Sequence, residues 1–421
     1  MKKVVVVGLG YIGLPTACLI ASNKIEVLGV DVNPKVINLA KKGKINLNEP
    51  DLIGLFKDVV EEGYLKVSLT PNYADVFIVC VPTPFKDGHK SDLSYVMAAI
   101  NSILPYIEED NLIIIESTCP VGTTENIRDL VFSKISNSII KGKIYLAYCS
   151  ERVIPGKILY ELIYNDRIIG GINEVSSKRA KDFYNLFVKS NLYDTNSKTA
   201  EMCKLVENSY RDVNIAFANE ISIICDKLGI NTNELIKLAN KHPRVNILKP
   251  GCGVGGHCIA VDPWFIVEKT PDLARLIKTS REVNLNKTEW VIKKIKKKAK
   301  EFEEENKSKP KIAILGLTYK PNVSDLRESP ALNITKSLAQ DRYPLYIIEP
   351  NILRLPKSLG IYKNVKKVEL NILNKVDIIV LLVPHKEFKK INKSLIDKKI
   401  VIDMVGILLT RKAEYHRPTR G

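Results

Sequence analysis

The sequence predicts an α/β protein in which two doubly wound domains are joined by a central helical domain with a long spine helix. Two short apolar runs that end in glycine, one at the N-terminus and one after Pro310, each begin a series of alternating strand and helix patterns. Between them, the apolar period is that of a helix from Thr199 to Leu228, with no helix breaker before Gly229. Alternating strand and helix patterns are typical of parallel sheets covered by helices.

The first doubly wound domain is predicted from a strand–helix–strand unit at the N-terminus. Lys3–Gly8 is a continuous apolar run typical of a buried parallel strand, a helix is expected over Leu14–Asn23, and a second strand over Glu26–Asp31. Further apolar strands are predicted at Val76–Val81, Leu112–Ile115 and Tyr145–Tyr148. Residues just after such strands lie where open α/β sheets bind their ligands.

The same pattern is repeated in the C-terminal third of the chain. A second helical stretch covers Leu273–Glu305, and Lys311–Gly316 then mirrors the first strand. A helix and three strands follow at Ala331–Gln340, Leu345–Ile348, Asp377–Val383 and Lys399–Asp403. The expected boundaries are residues 1–196 for the first domain, 197–306 for the helical domain, 307–412 for the second doubly wound domain and 413–421 for a tail.

Composition and charge are those of an ordinary globular protein. The 421 residues are 45% hydrophobic and 26% charged, with a net charge of +17. A solvated lysine-rich surface and an affinity for an anionic substrate would both account for this charge. No arginine-rich patch interleaved with aromatic residues occurs, so nucleic acid is not an expected partner. No run of about 18 apolar residues predicts a membrane span.

The eight cysteines are scattered and lie mostly within apolar segments. Scattered thiols of this kind are typical of a reducing compartment and not of a disulfide framework, so we expect a cytoplasmic protein. Cys252, His257 and Cys258 lie close together in sequence, but there is no second Cys/His pair at zinc-ligand spacing. We therefore expect no metal.

The glycines after the first strand match a dinucleotide-binding fingerprint. Gly8 permits the tight turn, Gly10 admits a pyrophosphate, and Gly13 lets the helix pack closely on the strand. The amides around Tyr11 and Ile12 then point at the phosphate from the helix N-terminus. This order of strand, glycine turn and helix predicts a Rossmann-like domain. A glycine turn without a ligand is the alternative.

Asp31, at the end of the second strand, predicts which dinucleotide binds. It follows the glycines by about twenty residues, the spacing that the ribose contact needs. A carboxylate there accepts hydrogen bonds from an unmodified ribose and would repel a 2′-phosphate. NAD is therefore expected in preference to NADP.

The segment Gly251–Phe265 combines a flexible backbone with reactive side chains. Four glycines within six residues would let the backbone come close to a ligand. Cys258, directly behind them, is a potential sulfur nucleophile, and Asp262 supplies a carboxylate four residues later. A thiol near pKa 8.5 is only a few per cent ionised at pH 7, so its surroundings would have to activate it.

Cationic and polar side chains occur in three further places. Lys204, Asn208 and Arg211 lie at i, i+4 and i+7 and so project from one stripe of the long helix, among apolar neighbours that favour a packed cleft over a wet face. His242-Pro243-Arg244 lies in a loop, where an arginine could bind a phosphate or sugar hydroxyls. Lys320 and Arg327 follow the first strand of the second doubly wound domain, a position that suits a second nucleotide-like anion or a soluble surface.

Taken together, these motifs resemble the UDP-glucose/GDP-mannose dehydrogenases, four-electron oxidoreductases that use two NAD to turn a sugar C6 alcohol into a carboxylate. The resemblance covers nearly the whole chain. Its motifs, in order, are Gly8–Gly13, Val81–Pro84, Ser117–Thr124, Glu151, Lys204 with Asn208, Gly255–Cys258 with Asp262, and Asp325–Pro330.

The resemblance implies specific catalytic roles. Cys258 would attack the C6 aldehyde to form a thiohemiacetal, which gives up a second hydride and becomes a thioester. Asp262 and Glu151 would handle the hydrolytic water, with Thr118 helping to hold it. Lys204 would either assist deprotonation of the alcohol or stabilise the oxyanion, and Asn208 would donate to the same oxygen.

It also implies the binding residues. The cofactor residues are Gly8, Gly10, Tyr11, Ile12, Gly13, Asp31, Lys35, Thr83, Thr118 and Arg327. The residues of the sugar-nucleotide site are Arg152, Val153, Lys204, Asn208, Arg211, His242, Arg244, Gly255 and Lys320. Members of the family form dimers through the long helix, which implies a homo-oligomer in which Arg244 acts across subunits.

Three positions near the nucleophile indicate a branch of the family. His257 and Val261 stand where the glucose branch has a serine and a lysine, and Ala260 stands where the N-acetylglucosamine enzymes usually have proline. The pattern resembles the branch that acts on UDP-N-acetyl-D-mannosamine. UDP-N-acetylglucosamine and UDP-glucose are the alternative substrates.

Two other functions compete with this interpretation. A two-electron dehydrogenase of the β-hydroxyacid type would share the dinucleotide domain, the long helices and a Lys–Asn pair, but it needs neither Cys258 nor the second α/β domain, which is the third domain of this chain. A non-catalytic nucleotide-sugar-binding protein would need none of Cys258, Lys204 and Asp31, all of which are present.

Overall fold

The structure is a computed structural model that describes residues 3–47, 49–135, 142–154, 156–396 and 398–408. The chain divides into two compact units, one formed by Met1–Glu207 with Trp264–Leu273 and the other by Asn208–Pro263 with Ala274–Gly421. The expected tail, 413–421, lies outside the described residues. The domain boundaries expected from the sequence stay a prediction. Among the described residues, no helix is long and apolar enough to cross a membrane.

The described residues form strands, helices and short 3₁₀ turns. The strands are β1 Lys3–Val7, β2 Glu26–Val30, β3 Leu65–Ser68, β4 Val76–Val79, β5 Phe85–Lys86, β6 Lys90–Ser91, β7 Leu112–Ile115, β8 Tyr145–Tyr148, β9 Arg167–Gly171, β10 Leu192–Asn196, β11 Ile312–Leu315, β12 Leu345–Ile348, β13 Val365–Lys367, β14 Ile378–Leu381 and β15 Ile400–Asp403. The helices are α1 Gly13–Ala21, α2 Pro34–Ala40, α3 Pro50–Glu61, α4 Ser94–Ile103, α5 Thr123–Lys134, α6 Ile158–Tyr164, α7 Glu174–Tyr184, α8 Ser197–Leu228, α9 Thr232–Ala239, α10 Asp262–Lys269, α11 Arg275–Asn306, α12 Pro330–Gln340 and α13 Lys357–Gly360. The 3₁₀ turns are Asp87–His89, Leu104–Tyr106, Leu370–Lys375, Lys386–Lys390 and Lys393–Leu395.

The first unit is built on an eight-stranded sheet in the order β10-β9-β8-β7-β4-β1-β2-β3. Its neighbours pair in parallel except β8 and β9, which are antiparallel. The strand order reverses at β1, whose two neighbours are β2 and β4. Loops at the carboxyl ends of these strands therefore diverge around a crevice, the usual ligand site of such sheets.

The strands of this sheet are buried on both faces. In β1, Val4 and Val6 belong to one apolar cluster, while Val5 and Val7 belong to another. Alternate side chains point to opposite faces of a strand, so each cluster covers one face of the sheet. Burying a valine of this kind contributes roughly 1.5–3 kcal/mol, which explains why the central strands are continuous apolar runs.

The second unit contains a smaller sheet with the order β13-β12-β11-β14-β15, in which every pair is parallel. The turn after its first strand copies the turn after β1. Gly8 donates its amide to the Val30 carbonyl at 2.7 Å, and Gly316 donates to the Ile348 carbonyl at 3.0 Å. Both glycines have positive φ, +96° and +91°. The predicted repetition of the doubly wound pattern is confirmed.

The predicted fold class is confirmed, and the strongly apolar elements agree best in position. The long helix begins at Ser197, two residues before the predicted start, and ends at Leu228 as predicted. The sequence interpretation missed several amphipathic helices and the strands β3, β5, β6, β9, β10 and β13. Strand β9 reads Arg-Ile-Ile-Gly-Gly, whose arginine and glycines hide its strand character, and tertiary pairing imposes it.

Polar side chains are buried between α8 and α11 in the second unit. The Arg281 guanidinium donates to an Asp212 carboxylate oxygen at 2.6 Å, and the Asn284 amide donates to the same oxygen at 2.8 Å. Asn219 donates to the Asn284 side-chain oxygen at 2.8 Å and accepts from the Gly251 amide at 2.9 Å. Through Asn219, this ladder fixes the start of the glycine-rich segment to the long helix. One Asp212 oxygen and the Arg281 Nε atom, both buried, have no hydrogen-bond partner among the described residues.

One buried lysine on α11 forms no ion pair with a described residue. The Lys287 ammonium donates to the Ser222 hydroxyl at 2.7 Å and lies 4.2 Å from the centre of the Trp290 ring. Only 1% of the residue is exposed. Burial therefore lowers the pKa of Lys287 to about 8.

Lys287→Met should change how stability depends on pH. The unfolded chain keeps this proton up to a pKa of about 10.5, whereas the folded chain releases it near 8. The unfolded state binds more protons between these values, so wild-type stability rises with pH there and the variant's does not. Melting curves from pH 7.5 to 10.5 measure the difference in unfolding free energy between the wild type and Lys287→Met. Over this pH range, that difference should change by roughly 2–4 kcal/mol in favour of the wild type.

Lys297→Met is the matched control, because Lys297 is an exposed lysine on the same helix. Its difference from the wild type should not vary with pH. A constant difference for Lys287→Met over the same range would contradict the lowered pKa.

Candidate active site

In the glycine turn after β1, the fold requires glycine at positions 8 and 13 but not at position 10. A methyl group at Gly8 would lie 2.4 Å from the Cys80 carbonyl oxygen, and one at Gly13 would lie 1.8 Å from the Gly8 oxygen. Gly10 is exposed, and a methyl group there would meet nothing within 4 Å. The described protein atoms give no steric reason for glycine at position 10, and they leave the backbone there open to the approach of a ligand. This fits the pyrophosphate of a dinucleotide.

Helix α1 begins at this turn, and no side chain caps its N-terminus. Its N-cap residue, Ile12, makes no side-chain capping bond, and the first turn contains no acidic residue. Such an N-terminus favours an anion. The Tyr11 hydroxyl donates to the buried Glu49 carboxylate at 2.9 Å, and Gly156 donates its amide to the same oxygen at 2.7 Å. Glu49 has no sequence signal that singles it out, and its carboxylate holds the Tyr11 side chain beside the turn.

Asp31 is held at the end of β2 by backbone donors. One carboxylate oxygen accepts from the Leu9 amide at 2.9 Å and the other from the Asn33 amide at 2.8 Å. Each oxygen retains acceptor capacity, and the residue is only half-buried, so ribose hydroxyls fit here. Asn33 also caps α2 by accepting from the Lys35 amide at 3.0 Å, which leaves the Lys35 side chain exposed.

The loops that follow β4 and β7 are tied to one another by Ser117. The Val81 amide donates to the Ser117 hydroxyl at 2.9 Å, and that hydroxyl donates to the Val81 carbonyl at 2.8 Å. Thr83 is buried in the first loop, and Thr118 is half-buried in the second. The two predicted threonines thus lie on loops that are joined at the carboxyl edge of the sheet.

Glu201 on α8 anchors the second of these loops. Its buried carboxylate accepts from the Gly122 amide at 2.6 Å and from both the amide and the hydroxyl of Thr124 at 2.7 Å. Burial raises the pKa of Glu201, and the hydrogen bonds oppose this. The sequence interpretation missed this residue. A glutamate one turn before Lys204 on the same helix was the only available signal.

Lys204 and Glu151 are brought together, as their pairing in one predicted site requires. The buried Lys204 ammonium donates to the Glu151 carbonyl at 2.6 Å and lies 3.4 Å from its carboxylate. The other carboxylate oxygen of Glu151 accepts from the Val153 amide at 2.7 Å. The lysine is therefore held at a fixed point against the loop after β8.

Arg152 is already paired in this structure. Its guanidinium forms an ion pair with Glu207 and donates to the Asp166 carbonyl at 3.3 Å. Binding to a substrate phosphate would need this arginine to exchange or share its partner. Its place in the sugar-nucleotide site stays a prediction.

Asn208 and Asp262 form a buried contact in the second unit. The Asn208 amide donates to an Asp262 carboxylate oxygen at 2.6 Å. Asp262 is the first residue of α10, and its own amide donates to the Cys258 carbonyl at 2.8 Å. The turn of chain before the helix thus links the predicted nucleophile to the predicted carboxylate. The prediction that Lys204, Asn208 and Arg211 share one helix is confirmed.

Exposure distinguishes Cys258 from the other cysteines. The structure describes all eight, and Cys258 is the one classed as exposed. Cys252 is buried, its thiol lies 3.5 Å from the Leu382 carbonyl, and burial raises its pKa to about 12. A buried thiol with such a pKa is a poor nucleophile. In the described part of the chain, no group of three or more His, Cys, Asp or Glu side chains could hold a metal ion.

The glycines before Cys258 approach protein and not open space. A methyl group at Gly255 would lie 2.5 Å from the Glu328 carbonyl oxygen, and one at Gly256, where φ is +86°, would lie 2.7 Å from the Tyr319 ring. The interpretation of these glycines as room for a ligand is therefore wrong for Gly255 and Gly256. Packing against the 319–328 segment of the same unit requires them. A substrate contact at Gly255 could come only from its main chain.

Lys320, which follows β11, lies near Arg211 of α8. Burial, followed by the charge of Arg211, lowers the pKa of Lys320. An anion bound beside Lys320 would offset this effect and stabilise its charged form. Arg327 instead pairs with Asp325, with contacts of 2.7, 3.0 and 3.1 Å that raise the pKa of Arg327.

The loop that contains His242 and Arg244 is exposed. The Arg244 amide donates to the His242 ring at 3.3 Å. Asn240 closes the loop by bonding both the amide and the carbonyl of Ile247, at 2.7 and 3.0 Å. Both predicted side chains are therefore presented on a preformed loop at the surface.

Three models of one protein family match successive parts of the chain. The NAD binding domain of the UDP-glucose/GDP-mannose dehydrogenase family matches residues 2–188, the central domain matches 198–286, and the UDP binding domain matches 313–410.

The chain belongs to the UDP-glucose/GDP-mannose dehydrogenase family. The resemblance inferred from the motifs is thus confirmed. The family consists of NAD-dependent UDP-sugar dehydrogenases, so the protein is an oxidoreductase that uses NAD.

Relatives of this family match along nearly their whole length. A UDP-N-acetyl-D-mannosamine dehydrogenase from Campylobacter jejuni is 52% identical over 398 residues, which cover 92% of this chain and 96% of the relative. An NDP-N-acetyl-D-galactosaminuronic acid dehydrogenase from Ralstonia nicotianae is 47% identical over 417 residues, with 96% of each chain covered. The structure of a UDP-N-acetyl-mannosamine dehydrogenase from Staphylococcus aureus matches with a TM-score of 0.86 at 41% identity, covering 97% of this chain and 96% of that one.

Alanine at Gly10 and at Gly13 should separate cofactor binding from folding in this family member. Gly10→Ala should melt within about 2 °C of the wild type but bind NAD at least about tenfold more weakly, because its methyl group takes the place of the phosphate. Gly13→Ala should lose several kcal/mol of stability, because its methyl group overlaps backbone. Melting curves and NAD titrations measure both. A Gly10→Ala variant with unchanged NAD affinity would contradict the placement of the pyrophosphate.

Proposed function

We propose that the protein oxidises the C6 alcohol of UDP-N-acetyl-D-mannosamine to a carboxylate with two NAD per sugar, the UDP-N-acetyl-D-mannosaminuronate-forming reaction. The observation that supports it most is the exposed Cys258, one turn before a carboxylate that Asn208 holds at 2.6 Å. The names of the relatives support this choice of sugar, because the 52% identical protein from Campylobacter jejuni is named a UDP-N-acetyl-D-mannosamine dehydrogenase.

The first oxidation converts the alcohol to an aldehyde and releases one hydride and one proton. Bound NAD would accept the hydride in this step and in the second. Lys204 either takes the proton as a neutral amine or stabilises the alkoxide as an ammonium, and its buried nitrogen is held by the Glu151 carbonyl at 2.6 Å. Asn208 gives one amide hydrogen to Asp262 and has a second one to offer the same sugar oxygen.

The second oxidation needs the sulfur. The Cys258 thiolate adds to the aldehyde carbon and forms a thiohemiacetal, whose C6 still has one hydrogen. Loss of that hydrogen as hydride and of the hydroxyl proton leaves a thioester. Two hydrides have then left the sugar, which is the four-electron change from alcohol to acid level.

Hydrolysis releases the acid and restores the thiol. Asp262 and Glu151 are the carboxylates that would take a proton from the attacking water, with Thr118 helping to hold that water. The C–S bond then breaks, and the sulfur leaves as a thiolate. Asp262 suits this role because it is buried and oriented by a donor.

The UDP part of the substrate is proposed to bind near Arg211 and Lys320. Their cationic side chains suit a diphosphate, because each offsets part of the desolvation free energy of an anion that binds in a half-buried site. The remaining residues of the proposed sugar-nucleotide site are Arg152, Val153, His242, Arg244 and the main chain of Gly255. Arg327 is proposed to contact NAD, together with Tyr11, Ile12, Lys35 and Thr83.

A homodimer through α8 is part of the proposal. Tyr210, Phe217 and Ile224 are exposed by 70%, 51% and 44%, and Leu228 is exposed by 64%. The first three are seven residues apart, so they form one apolar stripe along the helix, which suits the same stripe of a second copy. Arg244 would then act across the subunits. Eight cysteines without a disulfide support a reducing, cytoplasmic location.

A second candidate substrate is the corresponding N-acetylgalactosamine nucleotide. The relative from Ralstonia nicotianae supports it, because 47% identity over 417 residues is close to the value for the mannosamine enzyme. UDP-N-acetylglucosamine and UDP-glucose remain alternatives on the residues around Ala260.

A panel of UDP-sugars should identify the substrate. We expect NADH formation at 340 nm to be fastest, by kcat/KM, with UDP-N-acetyl-D-mannosamine and at least about tenfold slower with the N-acetylglucosamine, N-acetylgalactosamine and glucose nucleotides. Product analysis should find two NADH for each acid formed. Preference for another sugar would refute the proposed substrate but not the four-electron oxidation. One NADH per product would instead indicate a two-electron dehydrogenase.

Cys258→Ala should separate the two oxidations. Acid formation should stop, because no thioester can form, while the alcohol is still oxidised slowly and aldehyde is held or released as its hydrate. Cys252→Ala is the matched control, since it removes a buried thiol six residues earlier and should lose only about 1 kcal/mol of stability. Mass spectrometry of the products of both variants measures how much acid and how much aldehyde each one forms. Wild-type acid output from Cys258→Ala, or a folded but inactive Cys252→Ala, would show that the nucleophile is wrongly assigned.

A further inference from the structure

The two doubly wound folds place an acidic residue at the same point and use it differently. In the first unit, Asp31 directly follows β2 and accepts one hydrogen bond per oxygen, from the amides of Leu9 and Asn33. In the second unit, Glu349 directly follows β12, the strand that corresponds to β2 in the order of the sheet. Asp31 is half-buried, whereas the Glu349 side chain is 0% exposed.

The Glu349 carboxylate is fully occupied by the protein. One oxygen accepts from the amides of Leu317 at 2.7 Å and Thr318 at 3.2 Å, and from the His385 ring at 3.0 Å. The other accepts from the amide and the side chain of Asn351 at 2.8 and 3.3 Å. A carboxylate has about four acceptor sites, so five donors leave none for a ribose. The second fold therefore lacks the feature by which the first one binds NAD.

His385 completes this arrangement in a single tautomer. Its Nδ1 receives the Asn322 backbone amide at 2.9 Å, and a backbone N–H can only donate, so Nδ1 is the acceptor. The proton of the neutral ring is then on Nε2, which donates to Glu349 at 3.0 Å. The Asn351 amide also donates to Nδ1 at 2.9 Å. The ring is 0% exposed, so it cannot contact a ligand directly.

The loop from 317 to 322 is held at both ends by this pair, and it contains Lys320. At one end, Thr318 gives its amide to Glu349 and its hydroxyl to the Lys320 carbonyl at 3.0 Å. At the other end, the Asn322 amide is bound by His385, and its side chain accepts from the Lys386 amide at 3.0 Å. Lys320 thus lies on a short loop whose path is set by two buried side chains.

We propose that Glu349 and His385 are positioning residues for Lys320, and that they close the second doubly wound fold, which matches the UDP binding domain of the family, to NAD. The pair occupies the place of a ribose-binding carboxylate and uses its hydrogen-bonding capacity to fix the loop that meets the diphosphate. The inference rests on the proposed role of Lys320 in binding the UDP part of the substrate. Neither residue touches substrate, so each acts through the loop.

Binding of UDP and of NAD to the intact protein tests this without any turnover. His385→Gln can place its amide nitrogen near the Nε2 position and still donate to Glu349, but its side-chain oxygen does not lie at the Nδ1 position that accepts from the Asn322 amide. The variant should therefore release the loop and weaken UDP about tenfold. His385→Asn keeps the acceptor and loses the donor, so its UDP affinity should stay within about threefold of wild type. NAD affinity should be unchanged in both, and wild type should bind one NAD per chain.

A double-mutant cycle with Lys320→Ala distinguishes positioning from general damage. If His385 acts through Lys320, the His385→Gln/Lys320→Ala protein should bind UDP no more weakly than Lys320→Ala alone. The proposal would be overturned if the losses of UDP affinity from His385→Gln and Lys320→Ala multiplied in the double variant. It would also be overturned by equal losses of UDP affinity in His385→Gln and His385→Asn, or by binding of two NAD per chain. If His385→Gln does not fold, Glu349→Gln with Lys320→Ala gives the same cycle. Lack of turnover with every UDP-sugar would instead refute the proposed function, because UDP affinity is measured independently of it.

Discussion

The need of buried polar groups for partners is the constraint on which most of this protein depends, and the long helix α8 shows it best. Along one helix, Glu201, Lys204, Asn208, Asp212 and Asn219 are all buried. An unpaired buried donor or acceptor loses roughly 1–3 kcal/mol, so each of these side chains reaches out to a loop or to another helix. The loops that contain the chemistry are therefore positioned by hydrogen bonds to the helix and not by apolar packing alone.

The spacing along α8 distributes these contacts over several segments of the chain. Glu201 fixes the loop after β7, Lys204 fixes the loop after β8, and Asn208 orients the carboxylate at the start of α10. Further along, Asn219 holds the backbone of Gly251 at the start of the glycine-rich segment. Every contact is made by a different turn of the same helix, so a change at one turn should disturb one loop more than the others.

The two doubly wound folds show how one topology acquires two ligand preferences. Both have a glycine turn after the first strand and an acid after the second. Asp31 is left half-exposed with acceptor capacity, as NAD requires, while Glu349 is enclosed by five donors. A buried ionised group is stable only when hydrogen bonds or an opposite charge compensate for its loss of water. Burial alone would raise the pKa of Glu349, but its hydrogen bonds, of which that from His385 has the largest effect, hold the pKa below its usual range.

The sequence by itself determined the fold class, the cofactor fingerprint and the residues on the long helix. These signals are local: glycines at fixed offsets, an acid at the end of a strand, and a helical period that puts Lys204 and Asn208 on one stripe. Only the tertiary structure decided that Gly255 is required by packing, that Cys252 is buried, and that Glu201 and His385 hold loops. Their partners are tens of residues away in the chain, and no periodicity records which distant donor a buried side chain will meet.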